Sequence, residues 1–431
     1  MKRIAASVGL VALGVSTLHT AQGSDMQDSK PWSIGVSLRG FYDDNVNGTK
    51  HDKVHSTGFE ISPTVGIGMS SDQTSADMSY TYSGKYYDKR PGATSDHWDH
   101  THIFTAGLDH RFNPRNSIAL KDSFVIGQEP DVLRVLNMPT ATFQRLDGDN
   151  IRNYGSIVFN TEVTELLGFE LGYDNTYFNY DDDDETIDGF GNVLASNSGL
   201  LDRMEHRIHI DSRWHFRPET VGILGYQFAQ IDYTGDELVT GNIFTGTVES
   251  DDRDYRTHSV YLGIEHSFNP ALLGSLKLGG QYADYYGNSD GDNDLTPYVM
   301  GSLSYAYAEE CSARLGIQHI LSAADLIGTS TTDFVQNAES TTVYGSIIHR
   351  ILPKLYGTLL GTYQHSTYNG GGPGIDDESD DFLQVGVDLS YRFNPHLSAH
   401  AGYNYDQLNS GVTVREDFSR NRFYVGLTAQ Y

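Results

Sequence analysis

A single cysteine, Cys311, leaves the chain without an internal disulfide, so a small cross-linked scaffold is excluded. Basic residues are scarce as well: 29 Lys and Arg stand against 57 Asp and Glu, a net charge of −28 that argues against nucleic acid as a partner. The mean hydropathy is −0.42, and no apolar run is long enough for a membrane-spanning helix. That absence does not exclude membrane-spanning strands, which bury only alternate residues in lipid and leave the average polar. No linker divides the chain into domains.

What the sequence does have is glycine (45), tyrosine (28) and a repeated alternation. Met1-Lys2-Arg3, the apolar stretch Ile4 to Leu18 and the small residues around Ala21-Gln22-Gly23 read as a cleaved secretory signal over residues 1–23. Residues 24–431 then form one domain, and losing Lys2 and Arg3 takes the charge to −30. From Ser33 onward, segments of about ten to fourteen alternating residues are joined in turn by a tight turn and a long polar connection. In the clearest, Met204, His206, Ile208, Ile210, Trp214 and Phe216 alternate with Arg203, Glu205, Arg207, His209, Asp211, Arg213 and His215.

The spacing predicts an all-β fold, a transmembrane antiparallel up-and-down barrel of about eighteen strands, with sixteen as the runner-up. Phe112, Phe216, Phe268 and Phe393 each precede a turn containing proline and are expected to form the inner aromatic ring. Tyr42, Tyr86, Tyr177, Tyr233, Tyr286, Tyr363 and Tyr405, each just before a long loop, are expected to form the outer one. Asp122 interrupts an apolar face and predicts a bulge or a headgroup position, and Cys311 is expected in a short turn.

The last segment, Phe423 to Tyr431, places Phe423, Val425, Leu427, Ala429 and Tyr431 on one face and ends on an aromatic. With Tyr424 and Gly426 it resembles the terminal signal by which outer-membrane barrels are handed to their assembly machinery. Arg39-Gly40-Phe41-Tyr42-Asp43-Asp44-Asn45, the stretch Asp122 to Pro130 and the recurring Phe-Asn-Pro turns resemble the outer-membrane β-barrel porin family often found beside bacterial polysaccharide-export genes. The resemblance implies a barrel in the Gram-negative outer membrane and carries over no catalytic residue.

By alternation the inner face carries Arg39, Glu60, Lys85, Arg111, Lys121, Glu170, Asp174, Arg203, Glu205, Arg207, Asp211, Arg213, Glu265, Lys277, Arg314, Asp388, Arg392 and Asp406. This nearly neutral set reads as a water-filled lumen with opposed charges; cross-strand ion pairing is the plainer alternative. The surplus acid falls in Asp181 to Glu185, Glu249 to Asp254, Asp290 to Asp294 and Asp376 to Asp381, expected to ring the outer mouth. There it could gather cations or hold divalent cations that bridge lipopolysaccharide, with solvated surface loops as the favoured, plainer reading. No other cofactor is expected.

The apolar stretch Asp131 to Met138 is expected to fold into the mouth, with Arg134 and Arg145 as constriction residues, or to latch onto the rim or a neighbouring subunit. Gly287-Asn288-Ser289-Asp290-Gly291 has the spacing of a nucleophile elbow without its strand-turn-helix context, and His97, Asp99, His100 and His102 form no closed ligand set. The expected function is therefore not enzymatic: passive diffusion of small hydrophilic solutes or ions. An accessory barrel for exopolysaccharide export or surface attachment is the alternative, and a barrel-borne hydrolase the second. The expected partners are outer-membrane lipid and lipopolysaccharide, the assembly machinery, small polar solutes and, in an oligomer, further copies of the chain.

Overall fold

The computed structural model describes residues 30–90, 97–127, 149–181, 185–287, 293–328, 335–413 and 415–431. The first half of the chain forms β1 (Trp32–Asp43), β2 (Ser56–Ser70), β3 (Thr74–Tyr87), β4 (Trp98–Asn113), β5 (Asn116–Gly127), β6 (Asn150–Glu162) and β7 (Leu167–Tyr180). After the short β8 (Thr186–Ile187), β9 (Val193–Leu194) and α1 (Asn197–Leu201) come β10 (Arg203–Arg217) and β11 (Thr220–Tyr233). A loop hairpin of β12 (Leu238–Asn242) and β13 (Gly246–Glu249) precedes β14 (Tyr255–Asn269), β15 (Leu272–Tyr285) and β16 (Asp294–Ala308). The chain ends with β17 (Cys311–Ser322), β18 (Val335–Leu352), β19 (Leu355–Gly370), β20 (Ser379–Asn394), β21 (Leu397–Ser410) and β22 (Phe418–Gln430).

Eighteen of these strands make one antiparallel sheet, and β1 pairs with β22 from Gly35↔Gln430 to Asp43↔Arg422, which closes it into a barrel. Closure is what lipid demands, because an unpaired strand edge has no water to bond. Tyr431 seals the seam: its N–H donates to Ile34 O at 2.8 Å and its carbonyl accepts from Ile34 N at 3.0 Å. Its ring lies 5.9 Å from Trp32 and beneath the Lys30 ammonium at 3.6 Å. Tyr424 and Gly426 face inward.

The outer surface is an apolar belt, with Ile34, Leu38, Val65, Leu262, Leu315 and Val425 all exposed. In water this would be untenable; against acyl chains it is the membrane face. The proline turns share one geometry. A register shift precedes Asn113, Arg217, Asn269 and Asn394, and each pairs with the residue three further on. Asn113, Asn269 and Asn394 accept the backbone N–H of the second residue after them, at 2.9, 2.9 and 2.8 Å, covering for a proline that has no N–H. Phe112, Phe216, Phe268 and Phe393 protrude at these bulges and are exposed, as expected.

Two expectations are corrected, and of the two alternatives for Asp122 the bulge is absent. Asp122 sits in unbroken register between Ala106 and Gly155, with no bulge; its carboxylate accepts the Asn153 side-chain amide at 3.1 and 3.2 Å on the outer face. A polar neighbour on the next strand offsets the cost that a bulge would have avoided. Tyr233 does not join the outer ring: it faces inward and is buried, because the alternation of β11 places it on the side of Ile231 and Ala229. Cys311 opens β17 rather than lying in the turn, and its Sγ accepts the Arg350 N–H at 3.3 Å.

The two faces should answer differently to charge. Val425→Arg, on the lipid side near the middle of β22, should lower stability in vesicles by about 2–4 kcal/mol, against about 1 kcal/mol or less for Thr428→Arg on the inner side. Urea unfolding in lipid vesicles measures both; equal losses would contradict the assignment of faces.

Candidate functional site: the barrel lumen and its inward segment

Strand register puts every inner-wall residue named from the sequence on the inward face, but most of their charges are not opposed across a wide lumen. They pair with near neighbours. Arg39 bonds Glu60 on the adjacent strand, and Arg213 on β10 reaches Glu265 on β14, with a 3.1 Å bond from Nη1 to Oε1. Lys277 on β15 reaches Asp211 on β10 at 2.7 Å, and the Asp211 carboxylate itself leans over Gly225 of β11. Arg422 meets Asp406 at 2.5 Å, and Arg203 meets Glu205 at 2.8 Å. The cross-strand alternative accounts for all of these but Arg203–Glu205, which lies along β10; Arg203 and Asp211 are buried rather than wet.

The wall is open chiefly in the half nearer the tight turns, where Asp77, Asp109, Arg111, Lys121 and Arg314 are exposed. Toward the long loops the inward faces are covered. Ala229, Ile231, Tyr233, Tyr255, Ala283 and Tyr285 pack with Leu321 and Ala323. Ala338 and Tyr368 pack with Ala324, Leu326, Ile375 and Val412. A single stretch, Ala323–Gly328, joins both clusters, because the chain leaves β17 and folds inward instead of outward.

Two arginines from distant loops pin this stretch. Arg253, which follows β13, is buried and donates from Nη2 to Ala324 O at 2.7 Å and to the Tyr233 hydroxyl at 3.0 Å, and from Nη1 to Leu200 O at 2.9 Å. Arg415, from the last loop, holds Asp325 at 2.7 Å and Asp380 at 2.5 Å, and also donates to the Tyr368 hydroxyl at 2.8 Å. Thr240 Oγ1 donates to Gly328 O at 3.1 Å from the β12–β13 hairpin. The carboxylates of Asp325 and Asp380 have no solvent exposure, so the arginine between them is their compensation.

The constriction expected from the sequence is on a different segment. Arg134 and Arg145 lie outside the described residues, as does Ser289 of the elbow-like sequence. The inward segment was missed although Ala323-Ala324-Asp325-Leu326-Ile327 is an apolar run interrupted by one acid, the same signal that singled out Asp131 to Met138. The His-rich edge disperses: Asp99 turns inward to Arg90, while His100 and His102 face outward and bond the Tyr82 and Tyr80 hydroxyls at 2.8 and 2.9 Å. Among the described residues no cluster of His, Cys, Asp and Glu has metal-site geometry.

Much of the loop acid is committed internally. Asp254 Oδ1 accepts the Tyr233 N–H at 2.7 Å, Asp376 accepts Gly370 N at 2.9 Å, and Asp381 takes the Tyr363 hydroxyl at 2.6 Å. Asp202, which caps α1, accepts Tyr180 N at 2.8 Å and the Asn179 amide at 2.9 Å. Burial pushes Asp202 up to about 6, with the nearby Glu237 adding to the rise. Burial likewise pushes Asp254 up to about 6, aided by Asp232 and Asp251. The Ser198 hydroxyl stands between Asp202, at 3.0 Å, and Glu237, at 2.9 Å. It has one proton for two acceptors, so a proton on Asp202 completes a chain from Asp202 through Ser198 to Glu237.

Arg415→Ala should loosen the inward segment by removing the positive charge set between two buried carboxylates, at a cost of about 3–5 kcal/mol to the loop packing. The checks are limited proteolysis at residues 323–328 and ion current through the inserted barrel: both should rise. Unchanged current together with unchanged cleavage would show that Arg415 does not hold the segment.

Residues 318–431 match the family model described as "Putative beta-barrel porin 2". No curated protein matches the chain. Among solved structures, the chain is similar to the outer membrane protein opdK of Pseudomonas aeruginosa at 12% identity and a TM-score of 0.47, covering 93% of this chain and 99% of that one. It is also similar to OccAB4 of Acinetobacter baumannii (13%, TM-score 0.44, 94% and 99%) and to OpdL of P. aeruginosa (15%, TM-score 0.42, 93% and 99%). The chain is a closed eighteen-strand β-barrel whose last strands, residues 318–431, match the model of a porin family.

Proposed function

We propose that the barrel is a passive channel for small hydrophilic solutes, narrowed on its outer side by Ala323–Gly328 and the loops that pin it. The observation that carries this reading is the pairing of a closed eighteen-strand wall with an inward face that is polar and exposed nearer the tight turns. A barrel of this strand number is too wide for its own wall side chains to fill, so water occupies what the loops do not. The exposed inner residues carry both signs, Arg111, Lys121 and Arg314 beside Asp77 and Asp109, which suits weak ion selectivity over exclusion of either charge. With many loop acids bonded internally, the outer mouth attracts cations less than its composition suggests.

Planar-bilayer recording of the refolded protein under a salt gradient tests the reading. Resolved steps with a reversal potential near zero are expected; silence from protein shown to be inserted would overturn it.

The current should also depend on pH. Asp202 and Asp254 bind a proton at about 6 in the packed loops, above the ordinary aspartate value of 3.8. The packed state therefore carries a penalty that is full above about pH 6 and disappears as pH falls toward 4. Lowering pH from 7 to 5 should tighten the loops and reduce the current, and Asp202→Asn should make that response smaller. Current that rises on acidification would contradict the sign.

A further inference from the structure

At one level of the wall, inward rings lie flat over glycines of the neighbouring strand. A Cβ on Gly402 would fall 2.2 Å from the Tyr424 ring, one on Gly225 2.1 Å from Tyr261, and one on Gly316 2.1 Å from Tyr344. Tyr261 and Tyr344 each stand eight residues before the end of their strands, Asn269 and Leu352, so short turns of similar size set them at a similar depth. Two of the three rings are fully engaged. Tyr424 donates to Asp388 at 2.8 Å beneath the Arg39 guanidinium at 4.9 Å. Tyr261 donates to Asp211 at 2.6 Å, stacks on Tyr298 at 5.1 Å and lies under the Lys277 ammonium at 4.9 Å.

Tyr344 has the seat but not the partners. Among the described residues its hydroxyl makes no hydrogen bond, no ring stacks on it and no cation covers it, and it is only half-buried. Its surroundings differ too. Between Ser340 and Ile348 the inward residues of β18 are uncharged, and facing Tyr344 on β19 is Thr362. Gln318 and Ser346 lie beside it on the same wall, and Arg314, exposed and without a carboxylate partner among the described residues, is two positions from Gly316, about 7 Å along the strand.

We propose that Tyr344 and this arc form a subsite for an uncharged sugar ring. The proposal rests on the channel reading above and names a solute class for it. A pyranose has one face of C–H bonds that an open aromatic ring can take. Its rim of hydroxyls needs both donors and acceptors, which Gln318, Ser346 and the Tyr344 hydroxyl supply, with Arg314 as a further donor. A simple ion would find its counter-charge on the other arc, where charges already satisfy one another. A flat aromatic solute would gain the stacking but leave these polar groups unmatched.

The test is block of the ion current through the full chain in a planar bilayer by glucose, maltotriose, sorbitol and benzoate in turn. Glucose and maltotriose should interrupt the current in a concentration-dependent way, and sorbitol, with hydroxyls but no ring face, should do so several-fold more weakly. Tyr344→Ala should weaken the sugar block roughly three- to tenfold, while Tyr344→Phe should retain most of it. Tyr344→Leu, which keeps the bulk over Gly316 and removes the π face, serves if the alanine variant does not give a heat-modifiable barrel. Equal block by sorbitol, stronger block by benzoate, or a sugar block unchanged in both Tyr344→Ala and Tyr344→Leu would overturn the sugar site. Each trace also reports the open current, so a missing current would count against the channel, not against the subsite.

Discussion

Every backbone N–H and C=O that faces lipid must find its partner inside the sheet, and the rest of this molecule follows from that requirement. It forces β1 onto β22 and sets their register, and it makes the alternation of each strand a choice between two environments with opposite preferences. One side must be apolar without exception or provide its own compensation, as Asn153 does for Asp122. The other side is relieved of packing a core and can hold charges, hydroxyls and rings.

That freedom is used unevenly around the wall. Over β20 to β22, β1 and β2, and again over β10 to β15, acids, bases and tyrosines are spent on one another, often across a glycine that lets a ring or a long side chain lie flat. Such pairs stiffen the wall and leave little charge for a passing solute. The arc around β17 to β19 spends its upper serines and Gln364 on one another but leaves Arg314, Gln318, Tyr344 and Ser346 open. What the proposed channel can select by is thus the set of groups the wall has left uncommitted, more than its formal charge.

The strands and their faces were legible in the sequence because lipid imposes period-two alternation over whole strands and because Phe-Asn-Pro turns repeat a local geometry. Arg39, Glu60, Arg213 and Lys277 could be assigned to the inner face on parity alone. What parity cannot give is reach: Lys277 finds Asp211 three strands away, and Tyr233 sits inward because of a strand phase that its place before a loop conceals. The loops were least legible. Asp325, Arg253 and Arg415 are brought together by three connections far apart in the chain, and no spacing in the sequence encodes that meeting. The apolar run at Ala323–Ile327 was the one local clue.

Arg415 belongs to the connection between the last two strands, while the carboxylate it holds, Asp325, belongs to a segment some ninety positions earlier. On the opposite flank of that last connection, Arg420 grips Asp43 at the end of the first strand, with a 2.9 Å bond from Nε. The inward segment, already held by Arg253, therefore takes its second arginine anchor from the final hairpin, the same hairpin that ties the last strand to the first. A barrel still open at its seam would lack one of the two arginines that hold the segment, and closing the wall and fastening its mouth draw on the same hairpin.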